Sequence, residues 1–138
     1  MAKAVLIDSG AIVAALRRRD QHHPWARATF ESLTEPCFTC EAVLSESFFL
    51  LERAQEGKDR LSALVERGIV IIDFEFPAHC AETLHLLRRY HDTPMSFADA
   101  CLVRMAEVRD EGVVFTTDTE FQTYRKNGRQ TIPVMAPW

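Results

Sequence analysis

"AVLIDSGAIVAALRRR", residues 4–19, passes from four consecutive apolar residues through Asp8-Ser9-Gly10 into a run with helical spacing. The apolar residues, Ala4 to Ile7, do not alternate with polar ones, which is the pattern of a strand covered on both faces. Ser9 reads as the N-cap of the helix "GAIVAALRRR". A buried strand feeding directly into a helix sets the type of fold, provided the pattern recurs.

It does recur. "HPWARATFESL" (residues 23–33) reads as a helix with Pro24 near its first turn, and "PCFT" (36–39) as a brief second strand. That strand leads into a helix over "EAVLSESFFLLERA" (41–54), followed by "KDRLSALVERG" (58–68), closed by Gly68. "IVIIDF" (69–74), rich in β-branched residues, is a third strand. Helices over 77–90 and 96–109 precede a fourth strand, "VVFTT". A short helix follows Asp118, and a last strand, "TIPVM", follows an Asn127-Gly128 turn. Strands of this kind separated by helices predict an α/β protein: a three-layer α/β/α sandwich around a mostly parallel sheet of about five strands, with residues 1–138 forming one domain.

The totals agree with a globular domain. Of 138 residues, 47% are hydrophobic and 26% charged, outside the disordered range. No apolar run nears the roughly 20 residues that span a bilayer. The amino-terminal stretch has its basic residues after the apolar part and no small-residue cleavage site, so the expected compartment is the cytoplasm, with no membrane partner. There the four cysteines are expected to stay reduced. Cys37 and Cys40 have C-x-x-C spacing but lack the second pair that a structural zinc site requires. A redox role for them rests on Cys40 standing at a helix start. Cys80 and Cys101 fall in apolar helical patterns and read as small core residues.

Ligands of a parallel sheet bind beyond the carboxyl ends of its strands, where strand order reverses. Asp8 directly follows the first strand and Asp118 the fourth. Glu46 lies in the second turn of the helix leaving the second strand. The helix beginning near Ser96 leads back into the fourth strand, so its amino end, with Asp99, also lies at the carboxyl edge. Each acid has a plain structural use. Asp8 or Asp118 can cap a helix or close a turn, and Asp99 fits a capping box with Ser96 in "SFAD". Glu46 is the odd one, because its helical neighbours Ala42, Val43, Phe49 and Leu50 are all apolar.

Carboxylates brought together in this way need protons or cations: a pair about 4 Å apart repels by roughly 4 kcal/mol at an effective dielectric near 20. Oxygen-only ligands favour hard ions, Mg²⁺ or Mn²⁺, and an ion so held suits phosphodiester hydrolysis. Glu46 is then expected to face an interior cleft floored by apolar residues, with a metal ion as its partner. The formal net charge of −4 argues against a broad basic surface, yet without those four acids the remaining charges balance. Basic clusters remain for a phosphate backbone: Arg17, Arg18 and Arg19; Arg88 and Arg89; Arg125, Lys126 and Arg129. The first and last follow elements that begin at site acids.

Taken together, "VLIDSGAIVA", "VLSESFFLL", "SFADACLVRMA" and "VVFTTDTEF" resemble, in order and spacing, the motifs of PIN-domain proteins, and among them the VapC-type toxins of prokaryotic toxin–antitoxin pairs. The resemblance covers almost the whole chain. It implies a PIN-like fold and a Mg²⁺- or Mn²⁺-dependent ribonuclease. Asp8, Glu46, Asp99 and Asp118 would be its catalytic and metal-binding acids, and Thr116 or Ser9 would support them by hydrogen bonding. It also implies a homodimer, an RNA substrate and a small antitoxin covering the cleft. Glu120 stands where a further acid of the fourth motif would be.

Other layered folds fit less well. A haloacid-type phosphatase needs Asp-x-Asp after the first strand, where this chain has Asp8-Ser9-Gly10. A receiver domain needs adjacent acids there and a lysine after the last strand. A dinucleotide site lacks its glycine-rich turn, with 5 glycines in the whole chain. The alternatives that remain are an RNA-processing nuclease without an antitoxin, and a non-catalytic RNA- or partner-binding module, for which His22, His23 and Trp25 would offer a surface.

Overall fold

The computed structural model describes residues 3–54 and 56–138. Strand β1 (Ala4–Ile7) leads into helices α1 (Ser9–Leu16) and α2 (His23–Glu31), then β2 (Cys37–Thr39). Helices α3 (Glu41–Leu50) and α4 (Gly57–Glu66) precede β3 (Val70–Ile72). A 3₁₀ turn over Phe76–His79 opens α5 (Cys80–Arg89), and α6 (Phe97–Val108) returns the chain to β4 (Gly112–Phe115). Last come a 3₁₀ turn, Thr119–Gln122, a hairpin of β5 (Arg125–Lys126) and β6 (Gln130–Thr131), and β7 (Val134–Met135).

Five of these strands form one parallel sheet in the order β3-β2-β1-β4-β7. Apolar runs produce this arrangement because a central strand must be apolar on both faces: Leu6, Ile7, Val114 and Phe115 have no exposed surface. With this strand order, the right-handed rule for parallel crossovers puts α1 to α4 on one face of the sheet and α5 and α6 on the other. The chain steps outward from β1 to β2 to β3, then returns to β4 on the far side of β1, so strand order reverses between β1 and β4. Register completes the placement. Ile7 lies opposite Phe115 at the carboxyl end of that pair, so the residues emerging there are Asp8 and Thr116.

Several local details differ from expectation. Asp8, not Ser9, is the N-cap of α1: it keeps extended backbone angles and its side chain accepts from the Ser9 N–H. Helix α3 stops at Leu50 instead of running to residue 54. Its buried face is Val43 and Ser47, the Ser47 hydroxyl being satisfied by the Val43 carbonyl at 2.7 Å, whereas Phe49 and Leu50 are exposed. "TIPVM" divides between two elements, Thr131 joining the hairpin and Val134 and Met135 joining β4. The hairpin itself, too short to show any periodicity, turns at Asn127 and Gly128, whose φ angles are 51° and 84°. Finally, Cys80 is only half-buried, while Cys37, Cys40 and Cys101 lie in the core.

Among the described residues no helix is long and apolar enough to cross a membrane.

Candidate metal centre

Asp8, Asp99 and Asp118 each place a carboxylate oxygen within 4.8 Å of the other two. They come from three separate elements. Asp8 leaves β1 and caps α1, Asp118 follows β4 and opens the next turn, and Asp99 sits in the first turn of α6. Asp99 serves both expected uses at once. It completes a capping box with Ser96, whose N–H it accepts at 3.1 Å while its own N–H donates to Ser96 Oγ at 3.0 Å, and it joins the cluster.

Thr116 links two of the acids. The Asp118 N–H donates to Thr116 Oγ1 at 2.9 Å, and that hydroxyl donates to Asp8 Oδ2 at 2.7 Å. Asp8 Oδ1 accepts from the Ser9 N–H at 2.7 Å. Asp118 Oδ1 accepts from the Glu120 N–H at 2.9 Å, closing the turn. Glu46 is not a member of the three-acid cluster. It stands beside it, half-buried, and accepts from the Ser9 hydroxyl, which lies 3.5 Å from Asp8 Oδ1. The expected apolar floor beneath Glu46 is also absent on one side, because Phe49 is 73% exposed and Leu50 41%.

Electrostatics follow from burial. Asp8, 3% exposed, has its carboxyl pKa raised from 3.8 to about 7, first by desolvation and then by the charges of Asp99 and Asp118; the Thr116 and Ser9 hydrogen bonds oppose the rise. Asp99 is also raised, again chiefly by burial and further by Asp118. Two buried acids held above their usual range beside a third, all with oxygen donors only, match the demands of a hard divalent ion.

The model of the PIN domain family matches residues 5–127. The chain belongs to the PIN domain family. A search of curated proteins finds no match. Among solved structures, the fold is similar to VapC20 of Mycobacterium tuberculosis, described as a sarcin-ricin loop cleaving toxin, with a TM-score of 0.77 and 18% identity over 87% of this chain and 94% of that one. DNA-bound VapBC from Salmonella typhimurium gives a TM-score of 0.58 at 20% identity, covering 98% of each chain. FitAcB from Neisseria gonorrhoeae gives 0.54 at 20% identity, over 83% of this chain and 88% of that one.

The remaining candidates in this PIN domain fall in different places. Lys126, expected to touch substrate, is 7% exposed, and its Nζ lies 3.5 Å from the Asp110 carbonyl. Asp110 precedes β4, so this amine is at the amino edge of the sheet, away from the acids. Arg125 directs its guanidinium to the Gln122, Thr123 and Tyr124 carbonyls, fastening the turn after Asp118. Arg89 donates to the Gly128 carbonyl in the hairpin. Arg17, Arg18 and Arg19 instead share a cavity at the carboxyl end of α1. Trp25 packs edge-on against Phe115 as part of the core, with ring centres 5.4 Å apart.

One participant had no sequence signal. The Tyr124 hydroxyl lies 3.2 Å from Asp99 Oδ2 and 3.0 Å from the Pro94 carbonyl, tying the segment after Asp118 to the start of α6. Nothing in the spacing of residues 25 apart foretells such a contact. The cysteine pair also differs from its spacing: Cys37 is buried with its thiol pushed up to about 12, and Cys40 neighbours Cys101 in the core, both as free thiols, which lowers the Cys40 thiol and raises that of Cys101. These are core contacts, not a C-x-x-C centre.

The Thr116 relay has a measurable consequence. Thr116→Val keeps the shape but leaves Asp8 Oδ2 without a donor and the Asp118 N–H without an acceptor. The expected loss is about 2 kcal/mol, seen as a lower urea midpoint at constant m-value. An unchanged midpoint would show that neither bond contributes.

Proposed function

We propose that this PIN domain is a metal-dependent endoribonuclease, the toxin of a type II toxin–antitoxin pair. The observation that carries the proposal is the convergence of Asp8, Asp99 and Asp118 at the point where strand order reverses. The family match and the likeness of the fold to VapC20 and VapBC support it.

Asp8, Asp99 and Asp118 would hold the ion, Mg²⁺ or Mn²⁺, which when bound supplies charge for the phosphate oxygens and acidifies a water. The chain's own residues do the positioning. Ser9 and Thr116 hold the two oxygens of Asp8 in place, and Tyr124 and Ser96 hold Asp99. Glu46, fastened by Ser9 at the rim, is the nearby acceptor for a proton from the attacking water, a role that suits its half-buried position outside the cluster. RNA phosphodiesters are the substrate. In this reading the chain acts as one domain in the cytoplasm, pairs as a homodimer, and is restrained by an antitoxin that covers the acids.

The test is cleavage of purified RNA, structured and unstructured, by the purified protein. Cutting is expected with Mn²⁺ or Mg²⁺ and none in chelator. Equal cutting in chelator, or ion binding without cutting of any RNA, would overturn the proposal.

A further inference from the structure

Asp8 caps the start of α1, and the other end of the helix opens into a cavity of about 560 Å³ with the opposite chemistry. Arg17, Arg18 and Arg19, which follow α1, face Arg53, from the turn after α3, and Arg60 of α4. Among the described residues, the single acid in its wall is Glu56, which lies 3.7 Å from Arg60. Arg17 is fixed by donating to the Leu50 carbonyl. Among the described residues, Arg18, Arg19 and Arg53 take part in no ion pair. Five guanidinium groups drawn from three segments therefore border one concavity, in a chain whose formal net charge is −4. Like charges so gathered repel one another, and a polyanion relieves that repulsion. Planar guanidinium forks suit phosphate in particular.

We infer that this arginine cavity is a second RNA contact, a phosphate-binding anchor separate from the cutting site. The inference rests on the ribonuclease reading above. Geometry sets the distance: eight residues of α1 separate Asp8 from Arg17, about 12 Å at the helical rise. That is a span of a few nucleotides along an RNA strand. A strand whose scissile phosphate meets the acids thus reaches the arginines a few nucleotides away.

The test uses fluorescently labelled single-stranded RNA of four and twelve nucleotides, with anisotropy read in chelator so that nothing is cut. The Arg18→Ala/Arg53→Ala variant is expected to bind the longer RNA about tenfold more weakly, with the slope of log affinity against log salt smaller by about 1.4, as for two lost phosphate contacts. Its melting temperature should not fall, whereas arginines with a structural role would lower it. Lys3→Ala/Arg67→Ala, removing equal charge elsewhere, should stay within twofold of the parent. If the parent binds and cuts RNA but the arginine variant binds the longer RNA equally well, the anchor is overturned and the nuclease reading stands. If the longer RNA is held through the arginines but never cut with any ion, the nuclease reading falls and the anchor stands. Tighter binding of a polyglutamate peptide than of RNA of equal charge would also overturn the anchor, assigning the cavity to an acidic protein.

Discussion

Asp8→Asn is expected to lower Mn²⁺-dependent RNA cleavage by about a thousandfold or more while raising the melting temperature of the metal-free protein. The two effects have one origin. Asp8 is buried where its ionised form is disfavoured, and its pKa of about 7 records that penalty. Asparagine keeps the shape and the acceptor for the Ser9 N–H, and Thr116 can rotate to accept from the new amide. The neutral side chain therefore escapes the desolvation that the carboxylate suffers, but it cannot neutralise a cation. Residual cutting at the parent's rate would point to a contaminant or another centre. A large fall in melting temperature would mean that the Asp8 charge holds the fold together.

Raising the pH should strengthen ion binding and weaken the metal-free fold. The Asp8 carboxyl is raised from 3.8 to about 7 on folding, so between those values the folded chain keeps a proton that the unfolded chain has released. Stability is therefore greatest at the acid end of that window. It declines as pH climbs through about 7, by at most about 4 kcal/mol. Asp99, also raised by burial, adds in the same direction. An incoming ion must displace the proton, so Mn²⁺ affinity should drop about twentyfold from pH 7.5 to 5.5. Calorimetry in buffers of different ionisation enthalpy should count close to one proton released per ion near pH 6. Affinity that is flat across this range would place the ion elsewhere.

The contrast between Asp8 and Glu46 shows where the sequence was legible. That the sheet is parallel and covered was legible in the unbroken apolar runs around Leu6 and Val114, which are buried on both faces, whereas the order of its strands is set by long-range pairing. Once that order is known, the carboxyl edge is defined, and Asp8, Asp99 and Asp118 fall at it through backbone geometry alone. Glu46 depends on which way a helix faces. Its apolar neighbours suggested a buried stripe, but α3 ends at Leu50, and Phe49 points outward. Lys126 was unreadable for a different reason: a two-residue strand has no period, and the burial of its amine against Asp110 is a long-range event. Arg53 and Arg60 gave no signal because what unites them with Arg17 to Arg19 is a cavity, which exists only in three dimensions.

Asp99 holds the first turn of α6 closed from both directions through Ser96, and the same carboxylate meets Asp8 and Asp118. An inactive variant at this position is therefore ambiguous in a way that one at Asp8 is not, since lost turnover and a frayed helix start would arrive together. Serine or asparagine at 99, able to keep part of the cap, would separate the two losses where alanine would merge them. A survey of tolerated residues there would record the needs of the backbone as much as those of the chemistry.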